Sequence, residues 1–301
     1  MAAVHPFPLH TTPGAAANGR LGPSGQIGSF RHPHSRWMAA LAGQVPAPGH
    51  VCRYGVTPLH AMIAAEMLAP NPSGNYRFLA AEGRPFSEGA LVDPGFDLVH
   101  AAFERPPALE AGLAAAVRHV ASAGRPVQAI AGFELRIPAP LTADGFSAFN
   151  RAYVERLGAL GLTVGDLMPA ARTNVAAIAG GVPEPSLFGF SYTVEGGRGR
   201  PAFVLSGAPE ERPGDGVTML RSMMGVLSAR LDAMGVSWED STAVQLYGVD
   251  DVQALLVEHV LGRLGAAATH GIRWFPSRPP VESLHLELDV RSAGVELILP
   301  T

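Results

Sequence analysis

The chain has 301 residues, 47% of them hydrophobic and 16% charged, and a formal net charge of −4. This is enough apolar material for one large core or two smaller ones, and it excludes a disordered chain. No block of lysine and arginine stands out, which argues against a nucleic-acid partner, and no run of about 18 apolar residues could form a membrane-crossing helix.

Residues 1–50 are dense in glycine and proline and read as a tail or a wrapping arm. His5, His10, His32, His34 and His50 fall in this arm, but "RHPHSRW" has no carboxylate or cysteine beside it. Solvated loop histidines are therefore expected rather than a metal site. Cys52 is the single cysteine and has no internal disulfide partner. It fits a reducing, cytoplasmic setting as a small buried hydrophobe, and no basic-then-apolar leader is evident.

"NYRFLAAEG" (75–83) reads as a strand. "PALEAGLAAAVRHVASAG" (107–124) reads as a helix with Leu109, Leu113, Val117 and Val120 on one face. "VQAIAGFELRI" (127–137) is a strand, and "TADGFSAFNRAYVERLGALG" (142–161) is a helix burying Phe146, Phe149, Tyr153 and Leu157. "ARTNVAAIAG" and "SLFGFSYTV" are strands. After the turn "GGRGR", which lacks the Lys-Ser/Thr ending of a phosphate loop, 201–205 is a short strand ending at Ser206-Gly207. A helix then opens at Asp215, carries Leu220, Met223, Met224, Leu227 and Leu231 at 3-4 spacing, and stops at Gly235. "STAVQLYGV" is a strand, and "DVQALLVEHVLGRLG" (251–265) a helix. "THGIRWF" and "SLHLELDV" follow as strands, the second turning at 292–294 into "VELIL".

One succession of strands and helices therefore occurs twice, which predicts an α+β chain of two units, 51–197 and 198–301. Each unit is expected to be an open mixed sheet with two helices on one face. The bare faces of such sheets must be buried against copies, and the grooves between them are natural ligand sites.

Three segments carry a resemblance: "FVLSGAPEERPGDGVTMLRSMMGVLSARLDAMGVSWEDSTAVQLYGVDD", "FSAFNRAYVERLG" and "PAARTNVAAIAG". They resemble the Rid (YjgF, RidA-like) family of trimeric enamine/imine deaminases, with its chorismate-mutase-like units, over about two-thirds of the chain. The last two are similar to that family's F-x-x-F-N-x-x-Y helix and P-A-R-[ST]-x-V strand. The doubled layout and the closing "HLELDVRSAGVELIL" also resemble the chorismatases, which hydrolyse an enol ether. Their arginine- and proline-rich central segment is missing here, so a relative with another substrate is expected.

The resemblance implies that Arg172 binds a substrate carboxylate, and a guanidinium fork does match a carboxylate bidentately. The competing reading is a structural salt bridge. The family's second catalytic group is a glutamate in the last strand. The first unit has none in "SLFGFSYTV", whereas the second offers Glu296 first, then Glu287, with Asp289 nearby. Arg273 and Arg291 are further anchor candidates. A cleft between the units is expected to join Arg172 to Glu296, whose pKa an apolar strand would raise. Otherwise Glu296 is a solvated edge residue. Ser206, Gly207 and Tyr247 are candidate substrate contacts, with turn and core roles as the alternatives; glycine would let the backbone approach a ligand.

The sequence thus predicts a cofactor-free, metal-free hydrolase of a small unsaturated carboxylic acid (an enamine, imine or enol ether), working as a homotrimer with no nucleic-acid or membrane partner. The rival expectation is a non-catalytic protein of the same layout that binds small acids or supports a pathway partner.

Overall fold

The computed structural model describes residues 68–81, 86–178, 181–209, 214–249 and 252–301. The N-terminal arm with its histidines, and Cys52, lie outside these residues. Two mixed sheets face each other. In chain order the first is built from β4 (Phe96–Phe103), helix α1 (Leu109–Ser122), β5 (Ile130–Ile137), helix α2 (Ala143–Ala159), β6 (Ala171–Ala177) and β7 (Ser186–Glu195). The second is built from β8 (Phe203–Leu205), β9 (Ala208–Pro209), helix α3 (Gly216–Met234), β10 (Ala243–Gly248), helix α4 (Gln253–His259), β11 (Arg273–Phe275) and β13 (Leu286–Ser292).

The strands of the first sheet run β6-β5-β7-β4, and those of the second β11-β10-β13-β8. In both, the second and third strands of the succession pair in parallel, and the fourth lies antiparallel between the second and the first. The edges of each sheet are completed by strands from the other end of the chain. β1 (Ala69–Asn71), β2 (Tyr76–Leu79) and β3 (Gly89–Val92) extend the second sheet through β8. β12 (Ser277–Arg278) pairs with β6, and β14 (Val295–Leu299) runs parallel to β4 in the first sheet.

The helices cover the outer faces. Leu220, Met223, Met224, Leu227 and Leu231 of α3 are buried against Val244, Leu246, Leu288 and Val290. Each such side chain contributes about 1.5–3 kcal/mol through burial. Asp215 caps α3 by accepting from the Thr218 amide at 2.9 Å, and Gly235 ends it with φ 68°. In α1 and α2, Leu113, Val120, Tyr153 and Leu157 pack on Phe133, Leu135 and Phe190.

Three expectations change. The strand at 75–83 joins the second sheet as β2, and its place in the first is taken by β4, whose "FDLVHAAF" is buried from Leu98 onward. The helix expected over 251–265 ends at His259 and continues as 3-10 turns, where Gly265 takes a positive φ of 53°. The turn at 292–294 makes no hairpin. The Gly294 amide donates to the Leu98 carbonyl at 2.8 Å, and a Cβ there would lie 2.7 Å from Asp97 Cγ, so glycine lets the chain cross beside β4 into the other sheet.

Candidate active site

Alternation along β6 puts Arg172 and Asn174 on one face and Thr173 on the other. Arg172 is 4% exposed. Its Nη1 donates to Asn150 Oδ1 at 2.8 Å, and the rings of Phe86, Tyr153 and Phe146 surround the guanidinium with centroids 4.7, 5.0 and 5.5 Å away. Among the described residues no carboxylate lies within ion-pair distance, and Arg172 Nε has no hydrogen-bond partner. Burial lowers its basicity, although Tyr153 and Glu287 act the other way. A buried cation without a counter-ion is costly, and an anionic ligand would remove that cost.

Ser206-Gly207 ties this strand to the second sheet. Ser206 Oγ accepts from the Arg172 amide at 2.9 Å and donates to the Ser87 carbonyl. The Gly207 amide donates to the Arg172 carbonyl at 3.3 Å, and Arg230 Nη1 donates to the Ser206 carbonyl at 3.0 Å. A Cβ at Gly207 would lie 2.8 Å from Glu287 Cδ and collide with its Oε1. Glycine is therefore what allows the Glu287 carboxyl to rest against this backbone.

On β13, Leu286, Leu288 and Val290 point into the α3 core, while Glu287, Asp289 and Arg291 point toward the first sheet. Burial, reinforced by the Asp289 charge, raises the Glu287 pKa to about 8, against the opposing pull of Arg172, Arg136 and Arg230. No hydrogen bond from a described residue reaches this carboxyl. Glu287, Arg172, Asn174 and Gly207 line one cavity of about 90 Å³, walled by Phe86, Phe146, Pro209, Pro280, Val281 and Leu284. One water needs about 10–15 Å³ on this measure, so the space admits several waters or part of a small acid. A larger hollow of about 440 Å³ is lined by Arg77, Arg198 and Arg200. These arginines are committed to Asp93, Asp97 and the Glu239 carbonyl, which leaves that hollow without a free charge.

A second polar group fills the seam between the sheets beside this cavity. Glu134 accepts from Gln245 Nε2 and from Arg291 Nη1, both at 3.1 Å, and Asp289 accepts from Thr173 Oγ1 at 2.7 Å and from the Tyr247 hydroxyl at 3.0 Å. Burial and then Arg291 lower the His100 pKa to about 4, so its imidazole is neutral at pH 7. Among the described residues, no group of three or more His, Cys, Asp or Glu side chains could hold a metal ion.

The structure brings Arg172, Glu287 and Gly207 together, with Ser206 holding the Arg172 backbone, and separates Glu296, Arg273 and Tyr247 from them. Glu296 does not line the cavity; it pairs with Arg291 at 2.9 Å and Arg273 at 2.7 Å. Burial alone would raise its pKa, but the two guanidiniums hold it down at about 2, the reverse of the sequence expectation. Arg273 is committed to that pair, with its side chain 52% exposed. Tyr247 is buried in the seam, donating to Asp289 and stacked on Phe275 with centroids 5.2 Å apart. Both hydrogen-bonding roles of the Ser206 hydroxyl go to backbone groups, so it orders the wall instead of touching a ligand. Asn150 braces Arg172. Sequence reasoning passed over Asn174, although the period of a strand places it beside Arg172. It also passed over Glu134, an acid inside the apolar run "FELRI".

A caged guanidinium opposite a protonated carboxyl makes an acid–base site suited to a small organic anion, set in a two-sheet α/β chain. The family model of 2-aminomuconate deaminase CnbZ matches residues 68–297, and the chain belongs to that family. It is similar to the 2-amino-5-chloromuconate deaminase of Comamonas testosteroni, with 35% identity over 245 residues covering 75% of this chain and 96% of that protein. A solved chorismatase structure is similar over 68% of this chain and 77% of its own, at 16% identity and a TM-score of 0.44.

Proposed function

We propose that the chain is a deaminase of 2-aminomuconate-type acids, hydrolysing an enamine to an oxo acid and ammonia. The observation that carries this reading is the shared cavity of Arg172, a buried cation with no carboxylate partner among the described residues, and Glu287, a carboxyl whose pKa burial raises to about 8. The family match favours the enamine over an enol ether.

Arg172, held by Asn150 and three rings, anchors the carboxylate next to the amino-bearing carbon. Glu287 gives its proton to the carbon β to the nitrogen, and the enamine becomes an iminium. Water attacks the iminium carbon and returns a proton to the Glu287 carboxylate. Glu287 then protonates the nitrogen, the C–N bond breaks, and ammonia leaves. The hydroxyl proton returns to Glu287 as the C=O forms. One enamine and one water are consumed, one oxo acid and one ammonia are released, and the carboxyl ends as it began. A single group with a pKa near the working pH suits both directions of proton transfer. The pairing pattern common to the two sheets supports a further proposal: the chain is two Rid-type units, the first giving the anchor and the second the acid.

The test is turnover of 2-aminomuconate, followed by loss of its conjugated absorbance and by released ammonia. Arg172→Ala is expected to raise KM and lower kcat/KM by about 100-fold or more, since buried charge-assisted contacts are worth about 2–5 kcal/mol. Parent-like kinetics in that variant would refute the anchor. Tight binding without turnover by the parent chain would instead favour the small-acid binder.

A further inference from the structure

We propose that Asn174 recognises the amino nitrogen of the substrate, reading the amine and its neighbouring carboxylate as a pair. This inference rests on the deaminase reading and adds a specificity residue to it. Asn174 is 3% exposed, and among the described residues neither its Oδ1 nor its Nδ2 has a hydrogen-bond partner. Buried carboxamides with both ends unsatisfied are rare and costly, and they call for a ligand in explanation. The side chain sits two residues from Arg172 on the same face of β6 and lines the same cavity as Glu287.

The chemistry of the neighbours assigns its role. Arg172 offers donors alone, and Glu287 must aim its proton at carbon. An enamine NH₂ is a pair of donors, and the carboxylate beside it is an acceptor. A carboxamide matches this arrangement at two points, with Oδ1 accepting from the amine and Nδ2 donating to the carboxylate. A site built to satisfy a substrate N–H rejects the analogue that lacks it, because its own polar atoms are then left buried and unpaired.

The experiment compares 2-aminomuconate as substrate with muconate, which keeps both carboxylates and lacks the amine, as competitive inhibitor. Asn174→Leu keeps the volume and removes both polar atoms. It is expected to lower kcat/KM on 2-aminomuconate by about 10- to 100-fold, the value of one or two such hydrogen bonds. Muconate loses only the Nδ2 contact, so its inhibition should weaken by clearly less than kcat/KM on 2-aminomuconate falls, and thermal melting should stay at or above that of the parent. If the leucine variant does not fold, Asn174→Ala gives the same two readouts. Equal weakening of both ligands overturns the inference, as does a fall in melting temperature with the preference for the aminated acid intact. A parent chain inert on 2-aminomuconate removes this inference together with the deaminase reading. An active parent whose Asn174→Leu variant still prefers the aminated acid overturns this inference alone.

Discussion

Replacing Gly207 with alanine adds one carbon against the Glu287 carboxyl. The new Cβ would stand 2.8 Å from Glu287 Cδ and 3.1 Å from its Cγ, where ordinary contact begins at 3.4 Å, and it would overlap the carboxyl oxygen. The backbone is fixed on both sides, by the Gly207 amide on Arg172 and by the Ser206 hydroxyl on Ser87. The carboxyl therefore has to yield, by about 0.6 Å at its carbon and on the order of 1 Å at the oxygen nearest the new carbon. Misplacing a reacting group by about 1 Å costs roughly 100-fold, or about 2.7 kcal/mol of transition-state stabilisation. Gly207 has no positive φ, so alanine adds no backbone strain, and a glutamate tail can rotate away at little cost. The expected result is a large loss of kcat/KM on 2-aminomuconate with a melting temperature close to that of the parent. An alanine variant with parent-like kcat/KM would refute the placement of Glu287 as the acid, and a collapse in stability would refute the claim that only the carboxyl moves.

Three further predictions concern pH. Activity that needs the Glu287 acid form should fall as pH rises through about 8, and Glu287→Gln should lower kcat/KM by about 10²–10⁴-fold and remove that limb; a limb that survives belongs to another group. The same substitution has a stability signature. The folded pKa, about 8, lies above the ordinary 4.5, so this group's contribution is complete below 4.5 and is lost as pH rises toward 8. Melting curves should therefore show Glu287→Gln gaining on the parent across that window. Glu296 has the opposite sign: its pKa is held at about 2, below 4.5, so its contribution is present at neutral pH and lost as pH falls through that interval. Glu296→Gln should melt below the parent at pH 7, and the gap should close in acid; a gap independent of pH would remove the ion pair as its cause.

Much of the fold was legible because local rules were unopposed. The 3-4 spacing of Leu220 to Leu231, Asp215 before it and Gly235 after it define α3 from the residues alone. Arg172 was legible as a cation set in a strand of small residues, where charge is out of place. Sheet membership was not, because it depends on contacts between distant residues: Val295 lies against Val99, and Leu91 against Phe203. Which glutamate lies beside Arg172 was not legible for the same reason. Both are glutamates in apolar strands, and only the crossing of the chain at Gly294 brings Glu296 to two arginines while Glu287 stays at the cavity. β4 escaped notice because a strand buried on both faces shows no alternation.

The exchange of edge strands makes the two halves inseparable. A chain cut in the connection between β7 and β8 would leave each fragment lacking strands that its sheet borrows: β12 and β14 for one, β1 to β3 for the other. Neither fragment should refold by itself, whereas the mixed pair should reassemble and regain the cavity. Arg172 and Glu287 lie on opposite sides of that cut, so the cavity they share exists only while both parts of the chain are held together.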